Sequence, residues 1–311
     1  MDKESQCADK ILMVRPARFG YNLQTAKTNA FQNAETSDDE SLNDLVKLEF
    51  DSFVKKLTEA DIQVIVADDT ENPIKPDAIF PNNWLTTHSD GVMITYPMFA
   101  HNRRSERSEH ILLYLSRNFH VHQRYSFEFF EEEGKYLEGT GSMILDRQHR
   151  IVYACISART SPELLDRFAL LRNYKLVMFH AHDPSGIPVY HTNVIMAVGE
   201  TEAVICLECI ENENEKNQIT ESLLNTGKKI VELSWEQVLR FAGNMLQVKN
   251  KSGKRYWVMS ESVMHSLNED QKKILTGHSG IVNVGIPTIE KYGGGSARCM
   301  MAEIFLEKRK A

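Results

Sequence analysis

The stretch SMILDRQHRIVYACISARTSPELLDRFALLRNYKLVMFHA, residues 142–181, carries one complete structural unit in its pattern. Two short apolar runs, SMILD and RIVYACIS, flank the polar RQH, which reads as strand, turn, strand. SPELLDRFALLRNY then has the spacing of an amphipathic helix, with Ser161 as N-cap and Pro162 in the first turn. KLVMFHA supplies a third strand. The unit is ββαβ.

The same order recurs along the chain. WLTTH and VMITY around SDG lead to SERSEHILLYLSR and FHVHQRYSF, and NVIMAVG and AVICLE around ETE lead to EKNQITESLLNTG and KKIVEL. NMLQV and RYWVMS lead to NEDQKKILTGH, where Asn268 with Gln271 resembles a capping box, and to GIVNVGI. Asp90-Gly91 and Ser252-Gly253 supply turn chemistry. A fifth unit is split: RCMMAEIFL near the C-terminus provides its first strand, and ILMVRPA, DSFVKKLTEA and DIQVIVADD near the N-terminus complete it. The acidic NAETSDDESLND, residues 33–44, reads as a surface insertion or mobile lid inside this unit. The expectation is a single domain over residues 1–311, an α/β propeller of five ββαβ units with pseudo-five-fold symmetry that the two termini close into a ring.

A ring has a centre. Asn83, Glu138, His191, Asn244 and Cys299 stand at the mouths of the five first strands, separated by 55, 53, 53 and 55 positions, and can face one site. GGGSARC, residues 293–299, lets backbone turn or approach closely before delivering Cys299 to the closing strand. No Gly-Lys-Ser/Thr follows those glycines, so they do not form a phosphate loop.

Composition narrows the function. A net charge of -7 over 311 residues argues against a nucleic-acid partner. No apolar run is long enough to span a membrane, and MDKESQCADK lacks the core of a secretory signal, which places the expected location in the cytoplasm. Five cysteines in so long a chain are expected to be reduced thiols. Cys206 and Cys209 have C-x-x-C spacing, but AVICLE reads as strand, in which residues three apart point to opposite faces. Neither a metal nor a redox pair is therefore expected there.

FPNNW at 80–84, LEGTGS at 137–142, YHTNV at 190–194 and GGGSARC, together with MVRPARFGYN at 13–22, resemble the guanidine-modifying, amidinotransferase-type pentein superfamily. The resemblance covers nearly the whole chain and is strongest to the arginine deiminase-related branch that includes citrulline-hydrolysing enzymes. It implies the pentein five-bladed propeller and a Cys-His-Glu centre. Cys299 would be the nucleophile, His191 the general acid and base, and Glu138 the carboxylate that binds substrate nitrogen or orients the site. The chemistry asks for these types: a thiolate splits a hard hydrolysis into two displacements, and an imidazole can protonate the leaving amine and then activate water. No metal or organic cofactor is required, and an oligomer is compatible with such a chain.

A small amino-acid substrate calls for a carboxylate anchor. HNRRSER at 101–107 and ISART at 156–160 resemble carboxylate-binding segments of dimethylarginine-hydrolysing relatives, which nominates Arg104 and Arg159, with Arg15 and Arg18 as further candidates. Arginine-acting relatives often hold the guanidinium with acids, whereas this chain has Asn82 and Asn83 after Phe80 and Asn193 after His191-Thr192; Asp77 still matches an acidic position. Asparagine amides donate and accept, which suits a neutral ureido group. The expected reaction is hydrolysis of a citrulline-like substrate to ornithine, ammonia and carbon dioxide. An arginine or methylarginine deiminase-type hydrolase is the alternative, and a non-enzymatic binding factor on the same fold is a third reading that the triad argues against.

Overall fold

Short runs rich in Val, Ile and Met build five three-stranded sheets of one topology in the computed structural model, which describes residues 4–26, 29, 31–32 and 40–309. In the unit quoted above, Ile144–Asp146 pairs antiparallel with Ile151–Cys155, which pairs parallel with Lys175–Phe179. Parallel neighbours need a crossover, and helix Pro162–Arg172 supplies it. Ser161 is its N-cap residue and Pro162 opens the first turn, but the serine side chain makes no capping bond. Asn268 and Gln271 form the full capping box on helix Glu269–Thr276.

The split unit joins the two ends of the chain. Ala302–Glu303 lies antiparallel to Lys10–Arg15, with Ile11 opposite Glu303, and Lys10–Arg15 runs parallel to Gln63–Asp68. Burial falls from the first strand of a unit to its third. Leu85–Thr87, Ile144–Asp146 and Met196–Val198 are wholly buried, whereas Gln123–Ser126 is mostly exposed. The first strands therefore stand innermost, and the turns that lead into them converge. The sheets remain five separate sheets and form no closed barrel.

Sequence and structure differ along the acidic stretch 33–44. Residues 33–39 lie outside the described residues, but residues 40–44 begin a 20-residue helix, Glu40–Glu59, rather than an insertion or lid. The physical reason is an apolar stripe that runs farther upstream than DSFVKKLTEA: Leu42, Val46, Phe50, Phe53 and Leu57 are all buried and recur every three or four residues. At the far end of the inner strands, Glu4–Ala8 crosses between units, and Gln6 Nε2 donates to the carbonyls of Leu145 and Val198 at 2.9 and 3.0 Å. Among the described residues no helix is long and apolar enough to cross a membrane.

Candidate active site

Each ring position occupies the turn that feeds an innermost strand. Asn83 ends the 3-10 turn Pro81–Asn83, Glu138 precedes the helical turn Gly139–Ser142, and His191 precedes Thr192–Val194. Asn244 leads into Leu246–Lys249, and Cys299 stands in the turn before Ala302–Glu303. All five are buried. The glycine run ends helix Pro287–Gly293, with Gly294 as its left-handed cap at φ 62°, so the chain reverses toward Cys299.

Two amides converge on the cysteine. Asn244 Nδ2 lies 3.1 Å from Cys299 Sγ and Asn193 Nδ2 lies 3.4 Å from it, while Asn244 Oδ1 accepts from the Cys299 backbone N–H at 3.3 Å. Such donors favour negative charge on the sulfur as it forms. Asn244 thus touches the sulfur directly. Its equal spacing in the ring was the signal.

His191 and Glu138 meet at 2.8 Å through Nε2 and Oε2. Burial alone would raise the Glu138 carboxyl, but the Arg159 guanidinium, the His191 hydrogen bond and Arg103 hold it well below the usual carboxylate range. An ionised carboxylate only accepts, so Nε2 carries the proton and Nδ1 keeps its lone pair. Burial, the largest influence, depresses the imidazole from 6.5 to about 4, with Glu138 pulling the other way. The second Glu138 oxygen accepts from the Phe99 backbone N–H at 2.9 Å. Gly141 lies against this pair: a Cβ there would stand 2.8 Å from the imidazole edge and 2.6 Å from Asn83 Nδ2.

The arginines divide differently from expectation. Arg159 is buried, lies 3.5 Å from Glu138 Oε2 and stacks over the Tyr190 ring at 4.7 Å. Arg104 is not in the site. It pairs with Glu131 at 3.2 Å and donates to the Met98 carbonyl, because the 3-10 turn His101–Glu106 aims Arg103 inward instead. Arg103 binds Glu106 through Nε and Nη2, each at 2.9 Å, and donates from Nη1 to Asn83 Oδ1 at 2.9 Å. Arg15 pairs with Asp51 near the surface and Arg18 is exposed, so neither reaches the centre.

Asp77, Asn83, Arg103, Arg159, Tyr190, His191 and Cys299 line one cavity, which Thr25 and Asn29 close over. Its volume is about 20 Å³, room for about one water. Asn82 is buried beside it but turns its amide to Thr140 Oγ1 at 3.4 Å. Asp77 accepts from Asn22 at 2.7 Å; burial pushes its carboxyl up, with Arg103 and Asn22 opposing. Among the described residues, Asp77 Oδ1, Asn82 Oδ1, Asn83 Nδ2 and Asn193 Oδ1 have no hydrogen-bond partner. Sequence reasoning did not find Thr25, Asn29 or Tyr190 as wall residues, nor Asn22 as the partner of Asp77; only Asn22 and Tyr190 fell inside motifs.

Five ββαβ sheets with a cysteine, a histidine and a glutamate in the turns at the ring's centre define a pentein of the arginine-modifying type. The chain belongs to the eukaryotic N,N dimethylarginine dimethylhydrolase family, whose family model matches residues 15–306. No curated protein matches it at the sequence level. Among solved structures, the N-terminal domain of ArgZ, a cyanobacterial arginine dihydrolase, bound to substrate, superposes with a TM-score of 0.73 at 13% identity, covering 94% of this chain and 97% of that one. Full-length ArgZ gives 0.74 at 14% identity, and the match covers 40% of its length. A dimethylarginine dimethylaminohydrolase adduct with S-methyl-L-thiocitrulline gives 0.67 at 15% identity, covering 96% of this chain and all of that one. At these identities the likeness is one of fold.

Proposed function

We propose that the chain is a C–N hydrolase acting on the terminal carbon of an arginine-like amino acid through a covalent adduct on Cys299, and that its substrate carries a ureido group. The first part rests on the cavity that Cys299 and His191 share, with the imidazole held in one tautomer by Glu138. His191 takes the Cys299 thiol proton as the sulfur attacks the ureido carbon, and returns it to the ornithine nitrogen as the bond to that nitrogen breaks. A thiocarbamate remains on the sulfur. His191 then takes a proton from water, the new oxygen bonds to the same carbon, and the C–S bond breaks to release carbamate, which falls to ammonia and carbon dioxide. Asn193 and Asn244 stabilise charge on the departing and returning thiolate. Arg159 is the anchor for the substrate carboxylate, and Thr25 and Asn29 must shift to admit any amino acid.

The substrate assignment is carried by Asn83. Arg103 fixes its Oδ1, and among the described residues Nδ2 is a buried donor without a partner, on a residue that lines the cavity with Cys299. A ureido oxygen satisfies that donor, and the ureido N–H groups satisfy Asn193 Oδ1 and Asp77 Oδ1. A guanidinium offers no acceptor. A second reading, arginine or a methylarginine, is favoured by Asp77, whose free carboxylate oxygen suits a cation, and by the names of the family and of ArgZ.

Binding and turnover separate the two. The Cys299→Ala protein is expected to bind citrulline more tightly than arginine by calorimetry, and the parent to release ornithine from citrulline, with mass spectrometry finding the adduct on Cys299. Tighter binding of arginine or methylarginine, with citrulline as the released product, would replace the ureido reading by the second. An adduct on another cysteine would remove Cys299 from the mechanism.

A further inference from the structure

Cys206 and Cys209 do not follow the strand geometry expected of AVICLE. Strand Glu202–Ile205 ends before them, and Cys206 caps the 3-10 turn Leu207–Cys209. Side chains three apart in a 3-10 turn eclipse one another. The two sulfurs accordingly face each other at 3.2 Å, both as free thiols and both buried. A disulfide needs them at about 2.05 Å, an approach within the reach of side-chain torsions from there.

A second feature lies beside the pair. Cys209 forms part of the wall of a cavity of about 240 Å³ shared with His182, Asp183, Glu208, Glu211 and Trp235. Among the described residues His182 Nδ1 has no hydrogen-bond partner, and it stands 4.0 Å from Glu211. This cavity shares no wall residue with the one at Cys299. A small polar reagent can enter it without passing the catalytic centre.

We propose that Cys206 and Cys209 form a modification site, a dithiol that a small hydroperoxide converts reversibly to a disulfide, independent of Cys299. One sulfur of the pair, as its thiolate, attacks one peroxide oxygen; the S–O bond forms, the O–O bond breaks, and the second oxygen leaves as water or alcohol after taking a proton. The other sulfur then attacks the sulfenic sulfur, the S–S bond forms, and the hydroxyl leaves as water with that thiol's proton. Two thiols lose two electrons and the peroxide gains them. Cys209 is the one of the two that lines the cavity, and its sulfur lies against that of Cys206. Hydrogen bonds from the Cys209 thiol, and from the backbone of Cys209 and Glu208, hold the Cys206 thiol below its ordinary value against the cost of burial. Cys209 is pushed up by the same hydrogen bond and by burial. Burial also raises Cys7, and raises Cys155 to about 12, which disfavours their thiolates.

The test uses the full-length native protein, reduced and then exposed to hydrogen peroxide, alkylated and digested with trypsin. Cys206 and Cys209 fall in one peptide, Leu176–Lys216, without Cys7, Cys155 or Cys299. Expected is a peptide lighter by two hydrogens than its reduced form, closed to alkylation, reopened by dithiothreitol, and formed while Cys7 and Cys155 remain reduced. With either cysteine of the pair replaced by Ser, the one that remains should instead yield a sulfenic acid that dimedone traps. The proposal fails if the peptide stays reduced at peroxide levels that oxidise Cys299, if it goes to a species dithiothreitol does not reverse, or if Cys7 and Cys155 oxidise as fast.

Discussion

His191 is buried as a neutral imidazole, and that has a thermodynamic signature. Its folded value lies near 4 against an ordinary 6.5, so between those pH values the unfolded chain binds a proton that the folded chain refuses. The contribution of this group to stability is intact above pH 6.5 and is lost as pH falls toward 4, by up to about 1.4 kcal/mol per pH unit. Glu138 acts in the same direction at lower pH: its folded carboxyl is depressed, and its stabilisation is lost as that value is approached from above. Replacing His191 by Gln removes the first effect. Urea denaturation of parent and His191→Gln from pH 7 to pH 4.5 should show the parent losing stability relative to the variant as pH falls. Parallel curves would mean that the imidazole is not held neutral.

The 3-10 turn His101–Glu106 decides which of two adjacent arginines serves the site. Three residues per turn carry Arg103 inward to Asn83 and Glu106, and leave Arg104 against Glu131. Arg103 makes three side-chain hydrogen bonds in a fork that lysine cannot reproduce, so Arg103→Lys should free Asn83 to rotate and lower kcat/KM at least tenfold. Arg104→Lys should stay within a few-fold of the parent. The reverse order in steady-state kinetics would restore Arg104 to the site. This turn also shows where a sequence stops being legible. Strand, helix and ring position follow from apolar period and equal spacing, which is why the five ββαβ units and the converging Glu138, His191 and Cys299 can be read from the chain. The phase of a short 3-10 segment does not follow, since RR at 103 and 104 carries no period. The same limit hid the convergence of Cys206 and Cys209, whose strand ends two residues earlier than its apolar letters suggest. The long helix Glu40–Glu59 was obscured for another reason: its acidic solvent face diluted the buried stripe that begins at Leu42.

A ring of five units has to be closed at both ends of its inner strands, and this chain closes them by different means. At one end the turns bearing Asn83, Glu138, His191, Asn244 and Cys299 pack around the active site. At the other end the Glu4–Ala8 segment ties neighbouring units together. Gln6 bonds the carbonyls of Leu145 and Val198, in the second and third units, and accepts from the Arg147 N–H at 2.8 Å. Cys7 Sγ donates to Gln247 Oε1 of the fourth unit at 3.1 Å, and Glu4 lies 3.3 Å from Arg147. Pairing of Ala302–Glu303 with Lys10–Arg15 fixes the fifth unit to the same segment. Gln6 is therefore a joint between units rather than a part of any sheet, and it sits at the opposite end of the inner strands from Cys299. Gln6→Ala leaves two buried carbonyls and one N–H without their partner, which should cost about 2–4 kcal/mol. A thermal melt should show a transition lowered by several degrees, while kcat stays close to that of the parent. Gln6→Glu should melt lower at neutral pH than the parent as well, since a carboxylate then faces two carbonyl oxygens, and should recover in part when acid protonates it. A melting temperature unchanged in both variants would show that the inner strands hold the ring without this segment, and that Gln6 bonds only what is already in place.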